Sequence, residues 1–292
     1  MPTRDIALAI FTSVIWGLAF VATKFGLDGF TSAQLVTLRF AIAALPVLVL
    51  PRPRVHLGIL VAIGLTLFTG QFLFLFFAYA HGIPPGLASV TQQMQVFFTI
   101  PLAAIFFADI PTVRQSIGMV VAFCGLALIG LTLDGSFTPA ALGFALAASL
   151  SWAIGNILVK FAGPVSMVSL MAWASLVAPL PALLLSAVLD GNVDLPSAVA
   201  HAPWTAIVSA IYLGTLSTNI AYAAWSHLLT RYSTALVAPF ALLVPCTGVI
   251  ASALIFGERF DAMRYLGMAL IVVSLAIIVL PTNPRHWRMR RR

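Results

Sequence analysis

Long runs of apolar residues, separated by short turn-forming segments, dominate the pattern of the chain. Ten such runs follow one another, at about 6–25, 33–50, 57–80, 86–107, 115–131, 139–161, 166–188, 204–228, 234–256 and 264–281. Each is about 17–25 residues long, which is what an α-helix needs to cross a bilayer core. The separators, such as "PRPR" at 51–54 and "GIPPG" at 82–86, carry the Pro and Gly that end helices. The pattern predicts an all-α integral membrane protein with ten transmembrane helices.

The composition favours the same class. Hydrophobic residues make up 61% of the 292 residues and charged residues only 8%, whereas a soluble domain has about 25% charged residues. The first run follows Arg4 as a signal sequence would, but it lacks a clear cleavage site, so we expect it to be retained as the first span. No basic stripe interleaves with aromatic residues, so nucleic acid is not an expected partner.

The distribution of Lys and Arg predicts the orientation of the helices. If the N-terminus lies in the cytoplasm, 11 of the 15 basic residues fall on the cytoplasmic side, including Arg52, Arg54, Arg114 and the five arginines between 285 and 292. The positive-inside rule therefore favours a multi-pass protein with both termini in the cytoplasm.

Two segments of the chain repeat one layout. "SVIWGLAFVATKFG" at 13–26 and "SLSWAIGNILVKFA" at 149–162 share Ser13/Ser149, Trp16/Trp152, Lys24/Lys160 and Phe25/Phe161 at an offset of 136 residues. A second echo, at an offset of 149, pairs Gly118 with Gly267 and Met119 with Met268. The repeating unit has five helices, an odd number, so the second copy must be inverted in the membrane. We expect a first repeat at 1–134 and a second, with the basic tail, at 135–292, as in inverted-repeat transporters.

With these repeats, the W-x7-KF pattern in each half, "LRF" at 38–40 and the P-x12-E pattern from Pro245 to Glu258, the chain resembles the drug/metabolite transporter superfamily. It is most similar to the EamA type and, as a whole, to the YddG-like bacterial aromatic amino-acid exporters. The resemblance implies a bacterial inner-membrane carrier that exports amino acids or similar metabolites through a central cavity between the repeats. The first half departs from this pattern, because Val96 and Asp109 stand where the second half has Pro245 and Glu258.

Polar and aromatic side chains recur at helical spacing inside the runs. Polar groups in a bilayer core are costly, so they usually face a cavity or another helix. The candidate substrate-binding residues are Trp16, Gln71, Tyr79, Gln95, Trp152, Asn156, Tyr212, Asn219 and Tyr222. Aromatic walls with a few amide and hydroxyl groups suit a small amphiphilic ligand. Interfacial anchoring and hydrogen bonding between helices are the alternative roles for these residues.

Prolines inside the runs predict where helices bend. Pro101 lies in the fourth run, and Pro239 and Pro245 lie in the ninth. Each proline removes a backbone hydrogen bond and frees a carbonyl group. We expect these prolines to act in gating, with a static kink as the alternative. Arg39, about two turns into the second run, has no partner that the sequence identifies.

The groups that are missing narrow the chemistry. No Asp or Glu lies near the middle of a run, which favours a neutral or zwitterionic substrate and leaves the energy coupling open. No phosphate-binding loop, metal-ligand motif or catalytic motif occurs, so we expect no cofactor, no metal and no enzymatic activity.

The predicted function is a secondary transporter that exports neutral amino acids, aromatic and other apolar ones, by alternating access. The alternatives are an exporter of another small metabolite or amphiphilic drug, a polytopic membrane enzyme acting on a lipid-linked substrate, and a channel or receptor. The duplication argues against the last two. The expected partners are the substrate and the lipid bilayer, and a self-contained pair of repeats is compatible with a monomer.

Overall fold

A computed structural model of the chain is a bundle of apolar helices. It describes residues 1–83, 85–131, 138–189, 194–256 and 261–279, so Glu258 and the basic tail lie outside the described residues. Nine helices in this part have the length and composition to cross a membrane: α1 (Thr3–Leu27), α3 (Leu57–Tyr79), α4 (Val90–Phe107), α5 (Val113–Leu131), α6 (Pro139–Ala162), α7 (Met167–Val188), α8 (Trp204–Arg231), α9 (Thr234–Ile255) and α10 (Ala262–Val279). The remaining predicted span corresponds to a shorter apolar helix, α2 (Ser32–Leu48). The all-helical membrane fold is therefore confirmed, while the number ten stays a prediction.

Several of these helices change type along their length. Helix α3 consists of Leu57–Ile63, a π-helical segment Gly64–Gly70, and Gln71–Ala80, and α8 consists of Trp204–Tyr212, a π-helical segment Leu213–Ile220, and Ala221–Arg231. Helix α2 ends in a 3₁₀ turn at Leu45–Leu48, and a 3₁₀ segment at Ala238–Leu242 divides α9 into Thr234–Val237 and Leu243–Phe256. A turn at 93–94 divides α4, so that one helical segment, Pro85–Gln92, ends within it and a second, Gln95–Phe107, forms the rest. In the same way, a turn at 176–177 divides α7 into Met167–Ser175 and Pro179–Leu189. A short helix, Leu195–His201, precedes α8.

Side-chain caps fix where the helices begin. At the start of α2, Thr31 Oγ1 accepts a hydrogen bond from the Gln34 amide, and Gln34 Oε1 accepts one from the Thr31 amide. The hydroxyl of Thr138 caps α6 by accepting from the amide of Ala141, and it donates to the carbonyl of His81. These caps satisfy amide groups that the first helical turn leaves unpaired. Thr138 thus both caps α6 and contacts the C-terminal end of α3.

Helices α5 and α10 approach so closely that only glycine fits at their crossing. A Cβ atom on Gly125 would lie 2.7 Å from the carbonyl oxygen of Gly267, and one on Gly267 would lie 2.6 Å from that of Gly125. About two turns away, a Cβ on Gly118 would lie 3.2 Å from the carbonyl oxygen of Ser274. Small residues of this kind let transmembrane helices pack backbone to backbone. Residues 113–131 of the first half and 262–279 of the second are therefore held together directly.

Candidate functional site

Four aromatic side chains meet in the buried centre of the bundle, and we call them the central aromatic cluster: Trp16 of α1, Trp152 of α6, and Tyr222 and Trp225 of α8. The ring centroid of Trp16 lies 5.5 Å from that of Trp152, 4.9 Å from that of Tyr222 and 5.3 Å from that of Trp225. Such separations and tilted or edge-on orientations are favourable for aromatic pairs. The cluster joins the first predicted repeat to the second, and it brings together three of the candidate residues. Trp225 is an addition that the sequence reasoning missed.

The three indole groups of the cluster differ in their hydrogen bonds. Trp16 Nε1 donates to the carbonyl oxygen of Ser217 at 3.0 Å, and Trp225 Nε1 donates to Asn156 Oδ1 at 3.3 Å. Trp152 Nε1 is buried and has no hydrogen-bond partner in the protein. Trp16 and Trp225 are thus hydrogen-bonded to neighbouring helices, whereas the indole N–H group of Trp152 has no acceptor in the protein.

An amide network extends from this cluster towards α4. Asn156 Nδ2 donates to Gln95 Oε1 at 3.0 Å and to Thr99 Oγ1 at 3.3 Å. Because Asn156 Oδ1 accepts from Trp225, the amide of Asn156 links α4, α6 and α8. Gln95 is fully buried, yet its Nε2 has no partner in the protein. Gln95 and Asn156, both candidate residues, are therefore in direct contact.

On the α3 side of the cluster, Gln71 and Tyr222 form a second polar contact. The Tyr222 hydroxyl donates to Gln71 Oε1 at 3.3 Å, and the Tyr222 ring lies 5.4 Å from the ring of Phe68. Tyr79, which the sequence grouped with Gln71, lies two turns further along α3 and is 37% exposed. A displacement of eight residues along a helix is about 12 Å, so Tyr79 lies outside the cluster.

The remaining candidates on α8 serve partly as contacts between helices. The hydroxyl of Tyr212 donates to the carbonyl oxygen of Ile15 at 2.8 Å and so joins α8 to α1. Asn219 Nδ2 donates to the carbonyl oxygen of Ala43 at 2.9 Å, which joins α8 to α2, but its Oδ1 is buried without a partner. Tyr212 therefore resembles a packing contact, and Asn219 retains a free acceptor.

Buried polar atoms without a partner are concentrated around this region. In the described part they are Thr69 Oγ1, both polar atoms of the Gln92 side chain, Gln93 Oε1, Gln95 Nε2, Trp152 Nε1 and Asn219 Oδ1. Buried polar groups in proteins nearly always have a hydrogen-bond partner, so each exception calls for an explanation. The set contains both hydrogen-bond donors and acceptors.

Arg39 is held beside the cluster by hydroxyl groups. Its Nε donates to Thr218 Oγ1 at 2.8 Å and its Nη2 to Ser217 Oγ at 3.3 Å, and its guanidinium carbon lies 4.7 Å from the centroid of the Phe72 ring. The side chain is buried. The sequence identified no partner for it because Ser217 and Thr218 lie almost 180 residues further along the chain, in the π-helical segment of α8.

The three candidate hinge prolines lie in different settings. Pro239 is buried within the 3₁₀ segment that divides α9, and Pro245 is buried in the α-helical segment that follows. Pro101 is exposed inside the helical segment Gln95–Phe107. Only Pro239 coincides with a change of helix type, and the gating role of all three stays a prediction.

Polar contacts join the two halves at the end of the bundle that carries Asp5. We call this end the N-terminal face. Lys160 Nζ lies 2.8 Å from Asp109 Oδ2 and 3.0 Å from Thr234 Oγ1, and the Thr234 amide donates to Asp109 Oδ2 at 2.6 Å. The hydroxyl of Tyr232 donates to the carboxylate of Asp5. Burial raises the pKa of Asp109, but the hydrogen bonds from Lys160 and Thr234 and the charge of Lys160 outweigh it, so this pKa is below its usual value.

Two clefts open near the ends of the bundle. One, of about 620 Å³, is lined by residues that include Leu27, Phe30, Gln34, Asp194 and His201. The other, of about 600 Å³ at the N-terminal face, is lined by residues that include Lys160, Gly163, His227 and Arg231. In the described residues no three His, Cys, Asp or Glu side chains come together as metal ligands would.

Comparisons with known proteins agree with the resemblance noted in the sequence. A "Probable amino-acid metabolite efflux pump" of Escherichia coli (strain K12) is 39% identical over 287 residues, which cover 96% of this chain and 96% of the pump. A "Probable terminal-alkyne amino-acid exporter" of Streptantibioticus cattleyicolor is 27% identical over 288 residues, covering 94% and 93% of the two chains. A solved crystal structure matches with a TM-score of 0.74 at 16% identity, over 96% of this chain and 99% of its own, and so shares the fold.

The family comparison decides the class of protein. The model of the EamA-like transporter family matches residues 3–131 and again residues 139–280. The family and these relatives are transporters, which rules out the alternative of a membrane enzyme. With matches over nearly its whole length and a bundle of membrane-spanning helices, the chain belongs to the EamA-like transporter family and is a multi-pass protein of the inner membrane.

Proposed function

We propose that this transporter exports neutral amino acids, aromatic ones included, by alternating access at the central aromatic cluster. The observation that carries the proposal is the contact of Trp16 with Trp152, since it puts an aromatic wall from each half at one buried point. Export of amino acids is supported by the names of the two relatives above, an amino-acid metabolite efflux pump and an amino-acid exporter. Apolar side chains pack favourably against such rings.

The proposal includes two inverted repeats, and the glycine contacts support it. Gly118 faces Ser274, and Gly267 faces Gly125. Adding 149 to 118 and to 125 gives 267 and 274. The offset of 149 residues seen in the sequence therefore relates the contact of Gly118 with Ser274 to the contact of Gly267 with Gly125. The two π-helical segments, Gly64–Gly70 and Leu213–Ile220, begin 149 residues apart. Such exchanged contacts are expected when two copies of one fold pack around a pseudo-two-fold axis.

A substrate without net charge fits the position of the acidic residues. Asp5, Asp28, Asp109, Asp194 and Asp261, the carboxylates within the described residues, lie near the ends of helices or in connections. The unpaired atoms near the centre belong instead to amide, hydroxyl and indole groups. Such groups can hydrogen-bond the ends of a zwitterion, but they cannot neutralise a side chain with a further charge.

For the orientation, we propose that the N-terminal face is cytoplasmic, as the distribution of Lys and Arg favours. In that orientation the ion pair of Asp109 with Lys160 and the contact of Tyr232 with Asp5 join the halves at the cytoplasmic end. Alternating access would require these contacts to open while the other end closes. Their position supports a role as the cytoplasmic closure of the transport path.

The test is transport by purified protein in proteoliposomes. Vesicles loaded with unlabelled phenylalanine should accumulate radiolabelled phenylalanine by exchange, with saturation, and unlabelled leucine or tryptophan should compete. Protein-free vesicles and vesicles with Trp152→Ala protein are the controls. Folded protein that exchanges none of a panel of neutral amino acids would overturn the proposal. Exchange of another small metabolite in the same assay would then favour the alternative substrate class.

A further inference from the structure

We propose that Arg39 binds the α-carboxylate of the transported amino acid. This inference rests on the proposed function and deepens it, because it names the group of the substrate that the site recognises and the residue that recognises it. It assigns a role in substrate recognition to a residue whose role the sequence left open.

The first argument is that Arg39 is a buried cation with neutral partners. Its side chain is 8% exposed, and its hydrogen bonds go to the hydroxyl groups of Thr218 and Ser217. Among the described residues, no carboxylate lies in hydrogen-bond or ion-pair contact with it. A buried charge is normally paired, because hydroxyl groups replace part of its hydration but not its counter-ion. Ionisable residues kept inside a membrane commonly mark the path of a substrate.

The second argument is the position of the guanidinium group relative to the central aromatic cluster. Ser217 accepts from Arg39 with its hydroxyl and from the indole of Trp16 with its carbonyl oxygen. Arg39 is therefore separated from the cluster by one residue. A ligand whose apolar side chain contacts Trp16 and Tyr222 could extend its carboxylate to this cation.

The third argument is the acceptor that lies next to these residues. Asn219 Oδ1 is buried without a partner, and Asn219 directly follows Ser217 and Thr218 in the π-helical segment of α8. An α-amino acid carries an ammonium group on the same carbon as its carboxylate. A cation that binds the carboxylate and an amide oxygen that accepts from the ammonium group would together select a zwitterion.

A guanidinium group is well suited to this role. It is planar, stays protonated and carries five N–H donors, which match a carboxylate in a bidentate manner. The hydrogen bonds described for Arg39 use Nε and Nη2. A carboxylate would supply the missing counter-charge for the guanidinium group, and the ammonium group of the zwitterion would then be the remaining positive charge of the loaded site.

The experiment compares ligands that differ only in the carboxylate. Binding to detergent-solubilised wild-type protein is measured through displacement of radiolabelled phenylalanine, with phenylalanine, phenylalaninamide and phenethylamine as competitors. We expect the two ligands without a carboxylate to bind at least about tenfold more weakly than phenylalanine, which is the usual effect of losing a charge-assisted hydrogen bond. Equal affinity for phenylalanine and its amide would overturn the inference, and this arm needs no variant.

Variants then assign the effect to Arg39. For Arg39→Gln we expect the affinity for phenylalanine to fall about 10- to 100-fold, to the level of the amide, while the affinity for the amide changes less than about twofold. Arg39→Lys should retain part of the preference, because it keeps the charge but loses the planar donor pair. Equal weakening of both ligands in Arg39→Gln would mean a structural role and would overturn the inference.

The control and the wild-type result separate this inference from the proposed function. Arg114→Gln removes an arginine that donates to the carbonyl oxygen of Ile278 between α5 and α10, so its preference for phenylalanine over the amide should equal that of the wild type. Wild-type protein that binds no neutral amino acid would overturn the proposed function and this inference together. Wild-type protein that binds phenylalanine and phenylalaninamide alike would overturn this inference alone.

Discussion

Trp16 and Trp152 contact each other edge to face, with their ring planes at 84°, although they lie 136 residues apart in the chain. They occupy the same place in the two copies of the repeated layout, yet their indole N–H groups differ. That of Trp16 donates to Ser217, and that of Trp152 has no partner in the protein. The two equivalent tryptophans therefore differ: the N–H group of Trp16 makes a hydrogen bond within the protein, and that of Trp152 does not.

This difference predicts that a Trp→Phe substitution has different effects at the two positions. Trp16→Phe and Trp152→Phe remove similar ring volume, but only Trp16→Phe breaks a hydrogen bond, so it should destabilise the protein by about 1–2 kcal/mol more. Trp152→Phe should instead weaken phenylalanine exchange, since it removes the free donor. Unfolding midpoints in detergent and exchange in proteoliposomes measure the two effects. Equal stability of the two variants would contradict the assignment of their N–H groups.

Asn156 should be a larger contributor to stability than its size suggests. Asn156→Ala removes the two bonds that its Nδ2 donates to Gln95 and Thr99, and it leaves the Trp225 indole without an acceptor. Orphaning a buried donor costs about 1–3 kcal/mol, so we expect a loss of about 2–4 kcal/mol in the free energy of unfolding. The matched control is Ser226→Ala, because Ser226 is equally buried but makes only a long contact of 3.9 Å with Met171 Sδ. A similar loss in both variants would show that burial alone accounts for the effect.

The interior face of α6 could be read from the sequence because this helix is regular. Trp152, Asn156 and Lys160 recur every four residues, and all three make contacts with other helices: Trp152 with Trp16, Asn156 with Gln95, and Lys160 with Asp109. The 3.6-residue period holds along Pro139–Ala162, which is α-helical throughout. The partners of these residues could not be predicted, since they come from distant parts of the chain.

On α8 the same reasoning identified Tyr222 and Asn219 but missed the residues that contact Arg39. The sequence predicted a polar stripe with α-helical spacing, but Leu213–Ile220 is a π-helix. There Thr218 Oγ1 bonds to the carbonyl oxygen of Leu213, five residues back, and Ser217 and Thr218 turn towards Arg39. π-Helical segments are rare and lie frequently at functional sites. A period of 3.6 residues cannot reveal the contacts that such a segment makes.

The ion pair of Asp109 and Lys160 predicts a pH dependence of stability. The pKa of Asp109 is below its ordinary value of 3.8, so the folded protein favours the carboxylate. The resulting stabilisation is fully present above about pH 3.8 and is lost as the pH falls through the lower pKa of the folded protein. Asp109→Asn should therefore lower the unfolding midpoint at neutral pH, by about 1–3 kcal/mol in free energy, and should lose less stability on acidification than the wild type does.

Two variants separate the ion pair from the backbone contact that Asp109 also makes. Asp109→Asn can still accept from the Thr234 amide through its side-chain oxygen, whereas Asp109→Ala cannot, so the alanine variant should be the less stable one. Lys160→Met removes the other partner, and the double variant with Asp109→Asn should be more stable than the sum of the single effects predicts. Denaturation in detergent between pH 3 and pH 7 gives the free energy of unfolding of the three single variants and the double variant, each compared with the wild type. Strictly additive effects would show that the pair contributes no coupling energy.

The glycine crossing of α5 and α10 yields a prediction with an internal control. Gly125→Ala introduces a methyl group where a Cβ would lie 2.7 Å from the carbonyl oxygen of Gly267, so the helices must separate. We expect a loss of about 1–3 kcal/mol, as for other overpacked interiors. Gly143→Ala, in α6, places its Cβ where no atom lies within 4 Å, and it should be neutral or stabilising by about 0.5–1 kcal/mol because alanine favours helix. If unfolding midpoints in detergent fall equally for both variants, the substitutions act through the glycine backbone and not through the crossing. If only Gly125→Ala is destabilised, the backbone-to-backbone contact between residues 113–131 and 262–279 contributes to the stability of the fold.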